Sequence, residues 1–376
     1  MITLNPRNVN QALSLGLKLM CDPDAPTYGT ESRNGHVITC GVPVATVTAK
    51  PLERVLFSPL RNANPFFHLM EALWMLAGRN DLAWLGQYNK RMLEYSDDGG
   101  KTQPGAYGYR WRKNFGYDQL DEIVEALARD PSSRRAVLTM WDAWGIHQTS
   151  DREFVMNGDL LSAGSSKDVP CNTHVYFRII GDALHMTVCC RSNDLWWGAH
   201  GANAVNFSVL LEYMAARLNV RVGTMTQISN DYHIYTDIVK DLGARAHDAM
   251  VSDRYTRGVT QGLLNATPMF HYNTMDLFEE ELPRFMDFFD PVLNPIKTPW
   301  KRGGARERPT TALNHSFLAD VAFPIARAWD SRKVYDYETA IDRCYKIGDM
   351  NCDWRAASAE WMHRAAELST PGGTER

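Results

Sequence analysis

Cys171 is the residue whose type and position best fit nucleophilic chemistry. It follows Pro170 and comes just before the alternating run Thr173 to Ile180, so its thiol is expected at a strand edge that a ligand can reach. A turn leads into a second strand-like run, and Arg191 and Ser192 follow that run at once. A guanidinium fork beside a hydroxyl suits an oxyanion such as a phosphate. The spacing therefore predicts that a nucleophile and an anion-binding pair converge.

Four motifs occur in a fixed order around this cysteine. They are PCN at 170–172, RSND at 191–194, a Gly- and Asn-containing turn that opens a helix, and NDYHIY at 230–235. Together they resemble the nucleotide-binding core of the thymidylate synthase family, across roughly residues 30 to 240. PCN in place of PCH, and the form RSND..WG..GAN, resemble the pyrimidine nucleotide hydroxymethylases of bacteriophages. The resemblance implies an α/β fold, with a mixed β-sheet flanked by helices.

The resemblance fades after about residue 245 and predicts a division there. Residues 1–245 are expected to form the nucleotide-binding and catalytic core, and 246–376 a divergent, mostly helical region packed on it. The segment 297–310 is a basic, Gly-rich link, and closing helices follow it. The chain ends in STPGGTER, whereas the synthases end in a short apolar tail that folds over the bound ligands.

Composition places few limits on this picture. The chain has 376 residues, 44% hydrophobic and 22% charged, with a net charge of −4, which gives no support to direct nucleic-acid binding. No apolar run approaches the roughly 20 residues that span a bilayer, and no signal-peptide pattern opens the chain; we expect a cytoplasmic protein, in the host cytoplasm if it is phage-encoded. Seven cysteines without a CxxC pair predict reduced thiols and no metal site.

Three further arginines are implied as phosphate ligands by the resemblance. Arg33 lies in a turn-rich segment ahead of the first strand of the matching region, and Arg134 and Arg135 stand at the entrance of a strand. In the family the second pair crosses a dimer interface to the neighbouring subunit's phosphate. With Arg191 and Ser192 they would form a shared clamp, which implies an obligate homodimer. The alternative is that all three are solvated surface arginines.

Glu71 lies among apolar residues of one long predicted helix, residues 64–89. A carboxylate on a buried face is costly unless it has a partner or a role. The resemblance implies that Glu71 organises water at the C4 edge of a pyrimidine, where a raised pKa would suit proton transfer; a paired or partly exposed glutamate is the alternative. Tyr107 matches the family's active-site tyrosine, although such an aromatic residue can equally be part of the core.

The base and the sugar are assigned to residues after the cysteine. The resemblance implies that Asn203 reads the pyrimidine edge, and its alternative role is a helix N-cap. His233 and Tyr235, two residues apart and so on one side of an extended segment, would bind the sugar 3′-hydroxyl. Asn172 would alter the water beside the thiol, and Asp194 of RSND is counted with the catalytic residues.

The implied reaction begins with addition of Cys171 to C6 of a pyrimidine deoxynucleoside monophosphate, because C5 alone is a poor nucleophile. A cationic neighbour such as Arg191 is expected to favour the thiolate. The one-carbon unit comes from 5,10-methylenetetrahydrofolate. Hydride then gives a methyl group, and water a hydroxymethyl group. Leu93 and Tyr95 stand where the synthases have tryptophans near the reacting carbon, which favours water.

The amide of Asn203 matches uracil. The sequence therefore predicts a deoxyuridylate (dUMP) hydroxymethylase. The alternatives are a hydroxymethylase of dCMP or CMP, a thymidylate synthase, and a non-catalytic member of the family.

Overall fold

The computed structural model describes residues 1–148, 154–156, 158–162, 165–257, 264–295, 313–334 and 336–369. The basic link at 297–310 and the tail after Ser369, both singled out in the sequence, lie outside the described residues. None of the described helices is both long and apolar enough to cross a membrane.

A six-stranded mixed sheet forms the centre of the fold. Its order is β1-β4-β11-β9-β8-β5, in which β1 is parallel to β4 and β11 to β9, while the other neighbours are antiparallel. The strands are β1 (Ile2–Leu4), β4 (Val44–Thr48), β5 (Val137–Thr139), β8 (Asn172–Ile180), β9 (Ala183–Cys190) and β11 (Arg221–Ser229). The hairpin expected after the cysteine is confirmed: Gly181 turns β8 into β9 with a φ of 62°.

A smaller sheet lies beside the end of β9 and carries two of the predicted ligand residues. Its order is β10-β12-β3-β2, and a separate pair joins β6 to β7. These strands are β2 (Thr27–Ser32), β3 (Gly35–Cys40), β6 (Ile146–Gln148), β7 (Phe154–Met156), β10 (Asn193–Asp194) and β12 (Tyr232–Tyr235). The segment around Arg33, predicted to be rich in turns, is mostly strand, because residues 27–32 pair with β3.

Helices cover the sheets and make up most of the described part of the C-terminal region. Among the described residues they are α1 (Val9–Cys21), α2 (Pro65–Leu76), α3 (Leu82–Gly86), α4 (Tyr107–Arg112), α5 (Gln119–Arg129), α6 (Asp159–Ser162), α7 (Asn203–Arg217), α8 (Leu242–Val251), α9 (Met275–Phe289), α10 (Phe323–Val334), α11 (Tyr337–Cys344) and α12 (Asp353–Ser369). Kinked π-helical turns, Leu195–Ala202 and Leu318–Ala322, lead into α7 and α10. The expected α/β class, a mixed sheet flanked by helices with a helical C-terminal region, is confirmed.

The apolar helix α7 is almost entirely buried and packs on α2 and on the central strands. Asn64 caps α2 by accepting the N–H of Phe67, and Pro65 occupies the first turn, where its missing N–H costs nothing. The single long helix predicted for residues 64–89 is wrong. Gly78 has a φ of 62°, a left-handed conformation that ends α2, and α3 starts only after an Asp81 cap.

The C-terminal helices share their core with the N-terminal part of the chain. Phe66 of α2 packs against Trp329 and Trp361, with ring centroids 5.3 and 5.6 Å apart. A buried ion pair joins Arg54 to Glu212 of α7. The same Glu212 also accepts the backbone N–H of Met269 at 2.7 Å. Both apolar and charged contacts thus fasten the segment after residue 245 to the sheet-bearing part.

Candidate active site

A cleft of about 590 Å³ opens beside the end of β9 and the small sheet. Much of the predicted site lines it. The lining residues are Ser32, Arg33, Asn34, Val37, Tyr95, Trp141, Leu160, Lys167, Asp168, Val169, Cys171, Arg191, Ser192, Asp194, Asp231, His233 and Tyr235. Seven of the predicted residues are therefore brought together from segments far apart in sequence.

Cys171 lies immediately before β8, partly exposed to the cleft. The hydroxyl oxygen of Tyr107 fixes this entry, because it accepts the backbone N–H groups of Cys171 and Asn172 at 3.2 Å each. Tyr107 begins α4, which crosses α2 so closely that a Cβ on Gly108 would lie 2.0 Å from the Met75 carbonyl oxygen. Tyr107 therefore positions the cysteine from behind the cleft wall.

Arg191 lies beside the thiol of Cys171. Its guanidinium donates to the carbonyls of Pro170 and Val169, at 2.9 and 3.0 Å, and one of its nitrogens lies 3.8 Å from Cys171 Sγ. Burial raises the pKa of the Cys171 thiol. The positive charge of Arg191 lowers the pKa of this thiol, as expected of a cationic neighbour, but does not compensate, because desolvation of the charged form outweighs the nearby cation.

Arg33 and Ser192 complete the polar wall on this chain. Arg33 lies in the tight turn between β2 and β3, not ahead of the first strand, and donates to the Lys167 carbonyl at 3.3 Å. Ser192 is the second residue after β9. Arg134 and Arg135, by contrast, are exposed before β5 and are absent from the described lining of this cleft.

His233 and Tyr235 stand together on β12, with ring centroids 5.4 Å apart. Asp231 Oδ1 lies 3.4 Å from His233 Nδ1 and accepts the Thr39 hydroxyl at 2.7 Å. Burial lowers the pKa of His233, but the hydrogen bond and charge of Asp231 outweigh it, so the pKa ends above its ordinary value. The predicted HxY pair thus faces the cleft beside a carboxylate.

Glu71 is buried within α2 and is not among the described residues that line the cleft. Its Oε2 accepts the side-chain N–H of Asn206 at 2.8 Å. Burial raises the pKa of Glu71 to about 7, against the lowering effect of that hydrogen bond. The carboxyl group therefore titrates near neutrality, the direction that its apolar surroundings predict.

Asn172 and Asp194 each present buried polar atoms that the described residues leave without partners. Both side-chain polar atoms of Asn172 and the Oδ2 of Asp194 are in this state. The other Asp194 oxygen accepts the N–H of Trp197 and caps the π-helical turn. Because buried polar groups are normally satisfied, these atoms indicate positions that bind water or a ligand.

Asn203 is the first residue of α7 and is partly exposed. Its Nδ2 donates to Asn193 Oδ1 at 3.2 Å, and Asn193 in turn donates to Ser229 at 2.9 Å. The N-cap alternative does not apply, because the cap position belongs to Ala202 and carries no side-chain hydrogen bond. Asn203 is not among the residues that line the cleft as described.

Sequence reasoning assigned no role to Trp141, Asp168 and Asp231. Trp141 lies under the Arg191 guanidinium, 5.9 Å from it. Asp168 stands three residues before the cysteine, and Asp231 two before the HxY histidine. Their closeness to the PCN and DYHIY motifs was the available signal, but an isolated acid or aromatic has no local pattern that distinguishes a cleft residue from a surface one.

Comparison with known proteins shows which family this chain resembles. A family model described as thymidylate synthase matches residues 60–255. A deoxyuridylate hydroxymethyltransferase of Pseudomonas phage M6 is 37% identical over 370 residues, which cover 97% of this chain and 94% of that protein. The similarity therefore includes the C-terminal helices.

Two other relatives match a shorter part of the chain. A deoxyuridylate hydroxymethyltransferase of Bacillus phage SP01 is 38% identical over 213 residues, or 54% of this chain and 51% of that protein. A putative thymidylate synthase of Methanothermobacter thermautotrophicus is 32% identical over 179 residues, or 47% of this chain and 72% of that protein.

Proposed function

The chain belongs to the thymidylate synthase family, and from this premise we propose that it converts dUMP to 5-hydroxymethyl-dUMP. The observation that carries the proposal is the 37% identity to the phage M6 deoxyuridylate hydroxymethyltransferase over nearly the whole of both chains. The cleft adds a thiol, an arginine pair and a sugar-binding pair in one place. An enzyme that transfers one-carbon units is the class common to all these relatives.

The nucleotide phosphate is proposed to bind between Arg33, Arg191 and Ser192. A phosphate monoester carries close to two negative charges near neutral pH, which two guanidinium groups and a hydroxyl can match. Arg191 donates to two backbone carbonyls, and these hydrogen bonds fix the orientation of its guanidinium group. His233 and Tyr235 would then take the sugar hydroxyl.

Uracil is the proposed base because of Asn203. One N–H of its amide is used by Asn193; the second N–H can donate to O4, and its oxygen can accept from N3–H. A cytosine would present an acceptor and an amino group at the same places. The proposed ligands of the phosphate, the sugar and the base thus all lie before residue 245. Residues 246–376 are proposed to support this core by packing against it.

The wall next to the thiol fits the one-carbon donor, 5,10-methylenetetrahydrofolate. Tyr95, Trp141 and Leu160 line the cleft with Cys171, and aromatic and aliphatic side chains suit a flat heteroaromatic ring. When bound, this folate supplies the carbon that becomes attached to C5 of the nucleotide.

The residues of the chain account for activation and for the choice of water. Cys171 adds to C6, which makes C5 nucleophilic. Glu71, with a pKa of about 7, can exchange protons through water at the C4 edge. Asn172 and Asp194 leave buried polar atoms unpartnered within the described residues, which supports a site that holds water rather than a dry one. Hydration of the C5 methylene, rather than hydride transfer, is the proposed last step.

A homodimer with shared sites is proposed from the outer face of the six-stranded sheet. One face packs on α7, but Val137 and Tyr176, partners across β5 and β8, are 42% and 43% exposed on the other. This face also carries the exposed Arg178 of β8, and such an exposed, partly apolar sheet face is suited to a second copy of itself. Arg134 and Arg135 stand at its edge, exposed, where they could serve the partner's phosphate.

Substitution Cys171→Ala tests the nucleophile. Turnover of dUMP should be lost, while dUMP affinity measured by calorimetry should be largely kept, because the phosphate and sugar contacts do not use the thiol. Cys21→Ala, which changes an exposed cysteine on α1, is the matched control and should keep full turnover. Turnover by the Cys171→Ala protein would contradict the assignment.

A further inference from the structure

Asp168 is an acid in the cleft that the reaction as proposed leaves without a role. It lines the cleft together with Cys171 and Tyr95 and stands three residues before the cysteine. Asp168 is half-buried and has no ion-pair partner among the described residues, which is uncommon for a carboxylate in such a position. Its position beside the reacting thiol therefore calls for a chemical explanation.

The backbone around Asp168 is held in place by two neighbouring segments. Gly105 donates its N–H to Asp168 Oδ2 at 3.0 Å, and a Cβ at Gly105 would lie 2.6 Å from that oxygen. On the other side Asp97 accepts the Ser166 hydroxyl and the Lys167 N–H, at 2.6 and 2.9 Å. The carboxylate is thus fixed with one oxygen on a backbone N–H.

The charge of Asp168 acts on the reacting groups. It repels the thiolate form of Cys171 more strongly than Asp231 does and also disfavours ionisation of Tyr95. Burial raises the pKa of Asp168 itself, against hydrogen bonds from Gln103 and Gly105. Of the other acids of the cleft, Asp231 pairs with His233. Asp194 caps a helical turn with its Oδ1, and its buried Oδ2 has no partner among the described residues.

Resting on the proposed function, we propose that Asp168 is the general base that takes a proton from the water added to the one-carbon unit on C5. Before this step C6 carries Cys171 Sγ, and C5 carries an exocyclic methylene. The water oxygen bonds to the methylene carbon, its proton passes to the Asp168 carboxylate, and the double-bond electrons move onto O4. Return of those electrons restores the C5–C6 double bond and expels the Cys171 thiolate.

The step needs no oxidant or reductant, because water adds and the thiolate leaves. The proton on Asp168 returns to the thiolate or to solvent. Gln103 supplies a further acceptor beside the carboxylate. Its Oε1 is buried and has no hydrogen-bond partner among the described residues. A water bound there can donate one hydrogen to Gln103 and the other to Asp168. Asp168 belongs to the segment that leads into Cys171, and Gln103 to the segment that leads into Tyr107, whose hydroxyl accepts the Cys171 N–H.

Oxygen exchange into the product tests this role without folate. Run backwards, the step has Cys171 add to 5-hydroxymethyl-dUMP while protonated Asp168 delivers a proton to the departing hydroxyl. In ¹⁸O-labelled water the wild-type protein should therefore place ¹⁸O in the hydroxymethyl group, measured by the mass of the recovered nucleotide. Asp168→Asn keeps an oxygen that accepts from Gly105 but no longer carries the proton, and should slow exchange by about 100-fold or more.

Two further variants and a binding measurement separate a chemical role of Asp168 from a structural one. Asp97→Asn loosens the same segment without changing the cleft acid and should exchange at close to the wild-type rate. Asp168→Glu restores a carboxyl group and should regain part of the rate, which a purely structural role does not predict. Affinity for 5-hydroxymethyl-dUMP reports folding of each variant.

Two results would overturn different claims. Wild-type exchange no faster than that of Cys171→Ala would contradict the proposed function itself. Rapid wild-type exchange that Asp168→Asn retains would overturn the role of Asp168 alone.

Discussion

The proposed role of Glu71 in proton transfer requires a buried carboxyl group, and ionisation of that group lowers the stability of the protein. The side chain is buried, and burial raises its pKa from 4.5 to about 7. Between these values the folded protein holds a proton that the unfolded chain has lost, so the free energy of unfolding falls as pH rises through this window. Above about pH 7 the loss is complete, on the order of 3 kcal/mol, since each pKa unit corresponds to about 1.4 kcal/mol.

Glu71→Gln should therefore raise the free energy of unfolding relative to the wild type, and by more at pH 8 than at pH 5. It should also lower turnover. The glutamine oxygen can still accept from Asn206, but it cannot ionise. Urea unfolding at pH 5 and pH 8 measures the difference between variant and wild type at each pH. The exposed Glu122→Gln on α5 is the control and should leave the pH dependence unchanged. An equal effect of Glu71→Gln at both pH values would show that Glu71 does not titrate in this window.

At the residue scale the sequence located the groups that belong to compact motifs. Cys171, Arg191 and Ser192, with His233 and Tyr235, lie within short runs, and these residues meet at the cleft. The state of the thiol was not predictable, because its pKa depends on burial by segments that are distant in sequence. Asp168 and Trp141 were missed for the same reason. Residues distant in sequence place them in the cleft, and their neighbours in sequence give no sign of it.

At the element scale the strands with clear alternation were found, and irregular connections were not. β8, β9 and α7 follow from period-two and apolar patterns. Residues 27–32, sequence TYGTES, were missed as a strand because they are polar and mostly exposed on both faces. The break after α2 was missed because the apolar pattern continues past Gly78 into α3. The left-handed conformation of Gly78 ends α2 although the apolar pattern continues.

The outer face of the six-stranded sheet leads to a prediction about shared sites. Arg134→Ala and Cys171→Ala proteins, each inactive alone, should regain activity when their subunits exchange. In a mixed dimer the site with an intact Cys171 receives an intact Arg134 from the partner. With random exchange, half of the dimers carry one working site of two, so recovery should approach about one quarter of wild-type activity.

Turnover assays after subunit mixing, with exchange verified by mass spectrometry of the dimers, provide the measurement. A mixture of Cys171→Ala with Glu71→Gln is the control, because both residues serve the same subunit's site and no mixed dimer restores it. Proven exchange without recovery for Arg134→Ala would mean that the phosphate is bound within one subunit.

At the scale of the whole molecule, the region after residue 245 is the part that sequence reasoning described least. Closing helices were expected, but not that Trp329 and Trp361 would pack on Phe66, nor that Glu212 would bind both Arg54 and a C-terminal backbone N–H. Such contacts join residues more than 50 positions apart, which no local periodicity records. They extend one core from α2 to α12.

The central claim, that the protein makes 5-hydroxymethyl-dUMP, is tested most directly by identifying its products. Wild-type protein is supplied with methylenetetrahydrofolate and either dUMP or dCMP; nucleotide products are resolved by mass, and folate products by absorbance. We predict a product from dUMP that carries a hydroxymethyl group, release of tetrahydrofolate, and a kcat/KM for dCMP lower by up to about 10⁴-fold, because the mismatched edge leaves polar groups at Asn203 unpaired. Formation of dTMP with dihydrofolate, or a preference for dCMP, would contradict the account.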